Sequence, residues 1–327
     1  LAPPTLIADL DRVGYPACVR FPIATALVLG ACSPSPEAES PVEPKSDAPA
    51  ATEWLDLELQ LAGENVPVYV YRPATTAPAP LAVVVHGFKR SREEMKGWGQ
   101  RLADAGFVVA VPSLPGGFAI DHALNGRIVG ELAQWLADAS VPELEGRVDP
   151  RRRGLMGFSA GGLAVMLAAA SQPEVGLVVA LDGVDRGDMG ARAAASIQAP
   201  VVALWAEPAS CNARGNGHAM VAAGTGPRRE AKVVDATHCD PEWPSDVACG
   251  LLCGAPDPTR QAAFRTHAVR AFEIVLGCVD DEAWRTGTSL REAAPLSDVV
   301  IEGELAAHPA CASAADEPAA RPQPAER

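Results

Sequence analysis

Residues Gly157-Phe158-Ser159-Ala160-Gly161-Gly162 decide the fold of this chain. An apolar run, Gly154-Leu155-Met156, leads into them, and Leu163-Ala164-Val165-Met166-Leu167-Ala168-Ala169-Ala170 leads out. The pattern reads as strand, tight turn and helix, with a serine at the apex. Glycines on both sides let the strand and helix backbones approach to a distance that side chains would block. The hydroxyl of Ser159 is then held proud of a sheet, beside the N–H of Ala160 and the start of a helix. An acyl-transfer nucleophile needs both features. G-x-S-x-G also arises by chance in Gly/Ser-rich loops, so the weight rests on the strand before it and the helix after it.

Outward from this turn the same alternation repeats. Leu81-Ala82-Val83-Val84-Val85 is a continuous apolar run, suited to a strand buried on both faces of a parallel sheet. Residues 91–105 read as a helix, with Ser91 as N-cap and Glu94 completing a capping box. Residues 107–111 read as the next buried strand and 123–139 as a helix. Residues 154–158 are a strand, 161–171 a helix and 176–181 a strand. Further strands are expected at 200–205 and 231–235, and a closing helix at 259–276. Residues 54–61 and 66–71 alternate in hydropathy, as an antiparallel pair at a sheet edge does. Together these predict an α/β fold with a doubly wound, mostly parallel sheet and ligands at the strand C-termini.

The candidate chemistry lies at those ends: His86, Ser159, Asp182, Glu207 and His238. His238, in Asp235-Ala236-Thr237-His238-Cys239-Asp240, follows the last expected strand and is the candidate base. His218 lies in a Gly/Asn-rich segment and His267 in mid-helix, which makes them rivals. His86 is read as positioning its loop rather than taking the serine proton. The carboxylate that orients the base is assigned to Asp182, with Glu207 and Asp185 as alternatives, since reach and burial matter more than identity here. The backbone N–H groups of Phe88 and Ala160 are the expected oxyanion donors, and Phe88 also offers an apolar wall.

With 41 Asp and Glu against 27 Lys and Arg, the net charge is −14, which argues against nucleic acid as a partner. Arg12 and Arg20 precede an apolar stretch ending Leu29-Gly30-Ala31-Cys32, too short for a permanent membrane span. The ending resembles a bacterial lipobox, so residues 1–31 are expected to be an export signal and Cys32 a lipidated residue holding the protein to the cell envelope. An ordinary secretory signal cut elsewhere is the competing reading. Residues 32–53 are expected to be a disordered tether, 54–305 the folded domain, and 306–327 a disordered tail. In an exported chain Cys211, Cys239, Cys249, Cys253, Cys278 and Cys311 read as disulfide partners in an unassigned pairing. Zinc coordination is the competing reading, and no paired C-x-x-C spacing supports it.

The set VVVHGF, GFSAGG, VVALDGVD and ATHCD resembles the α/β-hydrolase family, in the branch of chlorophyllases, platelet-activating-factor acetylhydrolases and bacterial polyester hydrolases. The resemblance covers roughly residues 54–278. It implies ester hydrolysis without cofactor or metal, on a small-molecule or polymeric ester. It also implies that the acid follows the strand after the serine turn, as Asp182 does, and that the segment around Asn216 and His218 precedes the base. Phe158 and Ala160 depart from the chlorophyllase turn, which weighs against chlorophyll as substrate. The expected function is therefore a serine ester hydrolase working through an acyl-enzyme. The alternatives are an amidase, peptidase or acyltransferase on the same triad, or a non-catalytic binding lipoprotein. No long insertion stands between the motifs, which favours an open site.

Overall fold

Among residues 53–117 and 119–315, which the computed structural model describes, nine strands form one sheet. In chain order β1 (Glu53–Leu61) and β2 (Glu64–Arg72) are followed by β3 (Ala79–Val85), α1 (Lys96–Asp104), β4 (Val108–Pro112), α2 (His122–Ala137) and β5 (Val148–Phe158). Next come α3 (Ala160–Ser171), β6 (Val175–Leu181), α4 (Met189–Ala194), β7 (Val201–Trp205), α5 (Gly217–Ala222) and β8 (Arg228–Val233). After β8 lie α6 (Val247–Cys253), α7 (Pro258–Val275), α8 (Glu282–Arg285), α9 (Thr288–Glu292), β9 (Leu296–Glu302) and α10 (Ala310–Ala315). The segments expected to be an export signal and a tether, with Cys32, fall outside the described residues up to residue 52.

The strand order is β1-β2-β4-β3-β5-β6-β7-β8-β9, with β4, β3 and β5 to β8 parallel. This is the α/β-hydrolase arrangement, a mostly parallel sheet with helices on both faces. Inside it, between β4 and β5, β3 is buried at every position. Leu81, Val83 and Val85 pack with α2, α3 and α5 on one face, while Ala82 and Val84 pack with α1 and α7 on the other. Each fully buried Val or Leu contributes about 1.5–3 kcal/mol, which commits this run to the sheet interior. Ser91 caps the turn before α1, and Glu94 accepts the Ser91 N–H at 2.8 Å, completing the capping box.

The short helices α4, α5, α6, α8 and α9 add to the expected elements, and the chain departs further from the expectation at the far sheet edge and at its end. An extra strand, β9, closes the far edge antiparallel to β8. Its side chains are only partly buried, so its sequence lacks the apolar signal of the central strands. The expected disordered tail begins too early. Residues 310–315 form α10, Cys311 is bridged to Cys278, and the His308 N–H donates to the Val275 carbonyl at 2.7 Å. Composition marked this stretch as solvated, but the disulfide and that hydrogen bond tie it to the end of α7. Residues 316–327 lie outside the described residues.

The register sets the site. Val85 pairs with Gly157, Phe158 with Leu181, and Leu181 with Leu204. His86, Ser159 and Asp182 therefore leave the same edge of the sheet side by side. That edge includes the switch point where β4 lies on one side of β3 and β5 on the other, the place where open α/β sheets bind ligands.

Candidate active site

Ser159 sits between β5 and α3 with φ 55° and ψ −120°, outside the conformations an L-residue ordinarily adopts. Surrounding contacts hold it there. Its N–H donates to the Leu181 carbonyl at 3.0 Å, and its own carbonyl accepts from Gly162 at 2.9 Å and Val184 at 3.0 Å. Gly157 and Gly161 make the turn possible. A Cβ on Gly157 would run into the Gly161 carbonyl, and one on Gly161 would lie 2.5 Å from the His86 carbonyl oxygen.

The loop after β8 brings His238 over this serine. Nε2 of His238 lies 2.9 Å from Ser159 Oγ, and Nδ1 lies 2.6 Å from Asp182 Oδ2. With Nδ1–H donating to Asp182, Nε2 is left as the acceptor that faces the Ser159 hydroxyl. All three side chains are nearly buried, and the Phe158 ring packs on the imidazole with centroids 4.8 Å apart. Asp182 turns towards the base because its backbone adopts φ 44°, pinned by its N–H donating to Leu204 at 2.7 Å. Its Oδ1 also accepts from the Ala206 N–H at 3.1 Å.

The other candidate carboxylates are engaged elsewhere. Glu207 pairs with Lys232 at 3.2 Å on the surface and accepts the Asp235 N–H. Asp185 accepts the N–H groups of Arg186, Gly190 and Ala191, ordering the start of α4. The rival histidines are similarly occupied: His218 stacks on Trp205 and touches Glu230, and His267 is buried along α7. Asn216, in the segment expected to precede the base, exchanges hydrogen bonds with the backbone of Asp185 rather than reaching Asp182.

The turn after β3 completes the site. His86 is buried; its Nε2 accepts the Leu114 N–H at 2.8 Å, which leaves Nδ1–H to donate to the Gly87 carbonyl. Burial holds its pKa below the usual histidine value, with the Gly87 bond opposing. It joins two loops as a neutral ring. Gly87 packs so closely on the serine that a Cβ there would lie 3.0 Å from Ser159 Cβ, which carries Phe88 to the rim of the site. Phe88 is 46% exposed. A cavity of about 350 Å³ opens over Ser159 and His238, lined by Phe88 and by Ala248 and Leu252 of α6. A second, of about 240 Å³, lies across the turn against Ala160 and Gly161.

Several supporting residues carry no motif. Asn212, fully buried, donates to both Asp182 oxygens and to the Glu207 carbonyl. Asp240 shapes the base loop by accepting from the Thr237 N–H at 2.7 Å and from Arg260 at 2.8 Å. The disulfides Cys211–Cys253 and Cys239–Cys249 bind the residues beside Asn212 and His238 to the same helix, α6. The sulfurs of Cys239, Cys249 and Cys253 lie within 4.8 Å of one another, and all three are spent in these bridges. The adjacency of Cys211 to Asn212 and of Cys239 to His238 was visible in the sequence; the pairing was not.

Residues 65–220 match the model of the PETase family, described as PET hydrolase-like. The match takes in Ser159 and Asp182 and stops before His238 and α6. A protein of Methylorubrum extorquens named as a carboxymethylenebutenolidase is 29% identical over 169 residues, covering 46% of this chain and 58% of its own length. The match thus spans little more than half of that relative.

Proposed function

We propose that this chain, an α/β-hydrolase, is a serine ester hydrolase that works through an acyl-enzyme. The observation that carries the reading is the unbroken chain of hydrogen bonds from Ser159 Oγ through His238 to Asp182, at 2.9 and 2.6 Å. Ser159 Oγ attacks the ester carbonyl carbon while His238 Nε2 takes its proton. The imidazolium so formed is held by Asp182 and returns the proton to the departing alcohol oxygen. Water then enters, gives a proton to Nε2, and attacks the acyl carbon to release the carboxylic acid and restore Ser159. The N–H groups of Phe88 and Ala160 are assigned to the oxyanion. Removing one such donor typically costs about 3–4 kcal/mol of transition-state stabilisation.

The family match supports an ester as substrate, small or polymeric. Export rests on the leader pattern and is consistent with the three disulfides; a lipid anchor at Cys32 rests on the sequence pattern alone. Incorporation of labelled palmitate into the full chain, lost in Cys32→Ser, tests the anchor. For the activity, Ser159→Ala is expected to abolish both hydrolysis of p-nitrophenyl butyrate and labelling by a fluorophosphonate while leaving the melting curve intact. Full activity in that variant overturns the assignment. Faster turnover of an amide than of the ester with the same acyl group would move the reading to an amidase.

A further inference from the structure

We propose that Arg90 is a positioning residue of the site, holding the oxyanion turn, the base loop and α6 at fixed separation through Glu242 and Asp246. The inference rests on the Ser159–His238 reading and adds a component that no motif marks.

Arg90 belongs to the turn that carries Phe88, since its N–H donates back to the Gly87 carbonyl at 3.3 Å. Its guanidinium leaves the turn and crosses to the segment that follows His238. Nε and Nη2 donate to the two Glu242 oxygens at 2.6 and 3.1 Å, and Nη1 and Nη2 donate to the two Asp246 oxygens at 2.9 and 3.1 Å. One planar fork thus holds two carboxylates, a geometry lysine cannot reproduce. Asp246 is also the N-cap of α6, accepting the Cys249 N–H at 2.7 Å. The same guanidinium therefore sets α6, whose Ala248 and Leu252 line the cavity together with Phe88.

The pair is buried where it counts. The Glu242 side chain is fully shielded and that of Arg90 is 14% exposed. Burial pushes the Glu242 carboxyl up from its usual range, with Arg90 opposing. Taking away Arg90 leaves Glu242 buried without a counter-charge, and taking away Glu242 leaves the fork held by Asp246 alone, so in either case the loops lose the buried half of the bridge. The neighbouring connections do not replace this one. The two disulfides fix α6 to the base and acid loops, and the Trp243 N–H donating to Glu94 ties the base loop to the turn before α1. Across the cavity itself, the fork of Arg90 reaches from the residues beside Phe88 to the segment leading into α6. A shift of about 1 Å between the oxyanion donor and the base is enough to cost on the order of 100-fold in rate.

The experiment compares Arg90→Gln, Glu242→Gln and the double variant in the full chain, with p-nitrophenyl butyrate and p-nitrophenyl decanoate, under conditions where circular dichroism shows each folded. Either single variant is expected to lower kcat by about 10- to 100-fold with KM changed by less than about threefold. The double variant is expected to be no worse than the worse single one, because both remove the same strut. Each is also expected to change the ratio of the two esters by widening the gap between Phe88 and Leu252. A purely structural bridge would lower the melting temperature and leave kcat and ester preference alone; that result overturns the proposal, as do losses that multiply in the double variant. Should Arg90→Gln fail to fold, the near-isosteric Glu242→Gln is read alone. Ser159→Ala in the same assay separates the two readings: if it is dead while the Arg90 and Glu242 variants keep full kcat, only the positioning role falls.

Discussion

Asn212 donates its side-chain amide to both carboxylate oxygens of Asp182, at 3.1 and 3.3 Å, and to the Glu207 carbonyl at 3.0 Å. Its own oxygen accepts from the Ala209 N–H at 2.8 Å, so it is held from both ends. Asp182 thereby receives the His238 N–H with its remaining acceptor positions already filled, which fixes the plane of the carboxylate. Hydrogen bonds to a charged group are worth about 1.5–3 kcal/mol. Asn212→Leu is accordingly expected to reduce kcat by about 10- to 100-fold on a short ester, with KM little changed. Steady-state kinetics on the folded variant check this, and unchanged kcat would show that Asp182 needs no such support.

The three candidate carboxylates separate cleanly by substitution. Asp182→Asn removes the acceptor that holds the base in its working tautomer and is expected to lower kcat by about three to four orders of magnitude. Glu207→Gln breaks a surface pair with Lys232 and is expected to stay within about twofold of the parent. Asp185→Asn is expected to show its effect in the melting temperature rather than in turnover, because its bonds order α4. A larger kinetic loss in Glu207→Gln than in Asp182→Asn would reverse the assignment of the acid.

The disulfides predict different consequences at different places. Cys211–Cys253 and Cys239–Cys249 brace the acid and base loops, whereas Cys278–Cys311 ties the segment after β9 to the end of α7. Replacing Cys211 and Cys253 by serine is expected to cost about 2–4 kcal/mol of stability and also to lower kcat below the melting range. Replacing Cys278 and Cys311 is expected to lower the melting temperature alone. Paired thermal melts and rate measurements at 20 °C distinguish them, and equal effects on kcat would remove the bracing role.

Asp149 supplies a pH-dependent contribution to stability. Burial alone would raise its pKa, but hydrogen bonds from Arg151 and Arg152 outweigh it and bring the value down to about 2. The unfolded chain binds this proton at a pKa near 3.9, so the folded state is favoured while the carboxylate is ionised. The contribution is present above about pH 4 and is lost as the pH falls towards 2. Allowing for screening, it is on the order of 1–2 kcal/mol. Asp149→Asn should therefore lower the melting temperature at pH 7 and flatten its fall between pH 4 and 2. Parallel acid-stability curves for parent and variant would contradict the assignment.

Much of this site was legible because its signals are local. The serine turn announces itself through glycines spaced to relieve one steric conflict. The run Ala79–Val85 is apolar throughout because both its faces are covered, and His238 follows a strand. That Ser159, Asp182 and His238 come in this order, each just after a strand, could be read without coordinates. The sequence favoured Asp182 but left Asp185 and Glu207 open as the carboxylate that faces His238. The choice depends on the pairing of Phe158 with Leu181 and on a positive φ at Asp182. Local periodicity carries neither.

The same limit hid Asn212, the pairing of the cysteines, and the reach of Arg90 to Glu242 across 152 positions of chain. It also hid the ordered end of the domain, where an Ala-rich stretch gains structure from a bridge to Cys278. By itself the sequence determined the elements, their order and the chemical groups, because backbone sterics and burial act over a few residues. Only the tertiary structure decided which of those groups meet, because contacts between distant segments depend on register and packing.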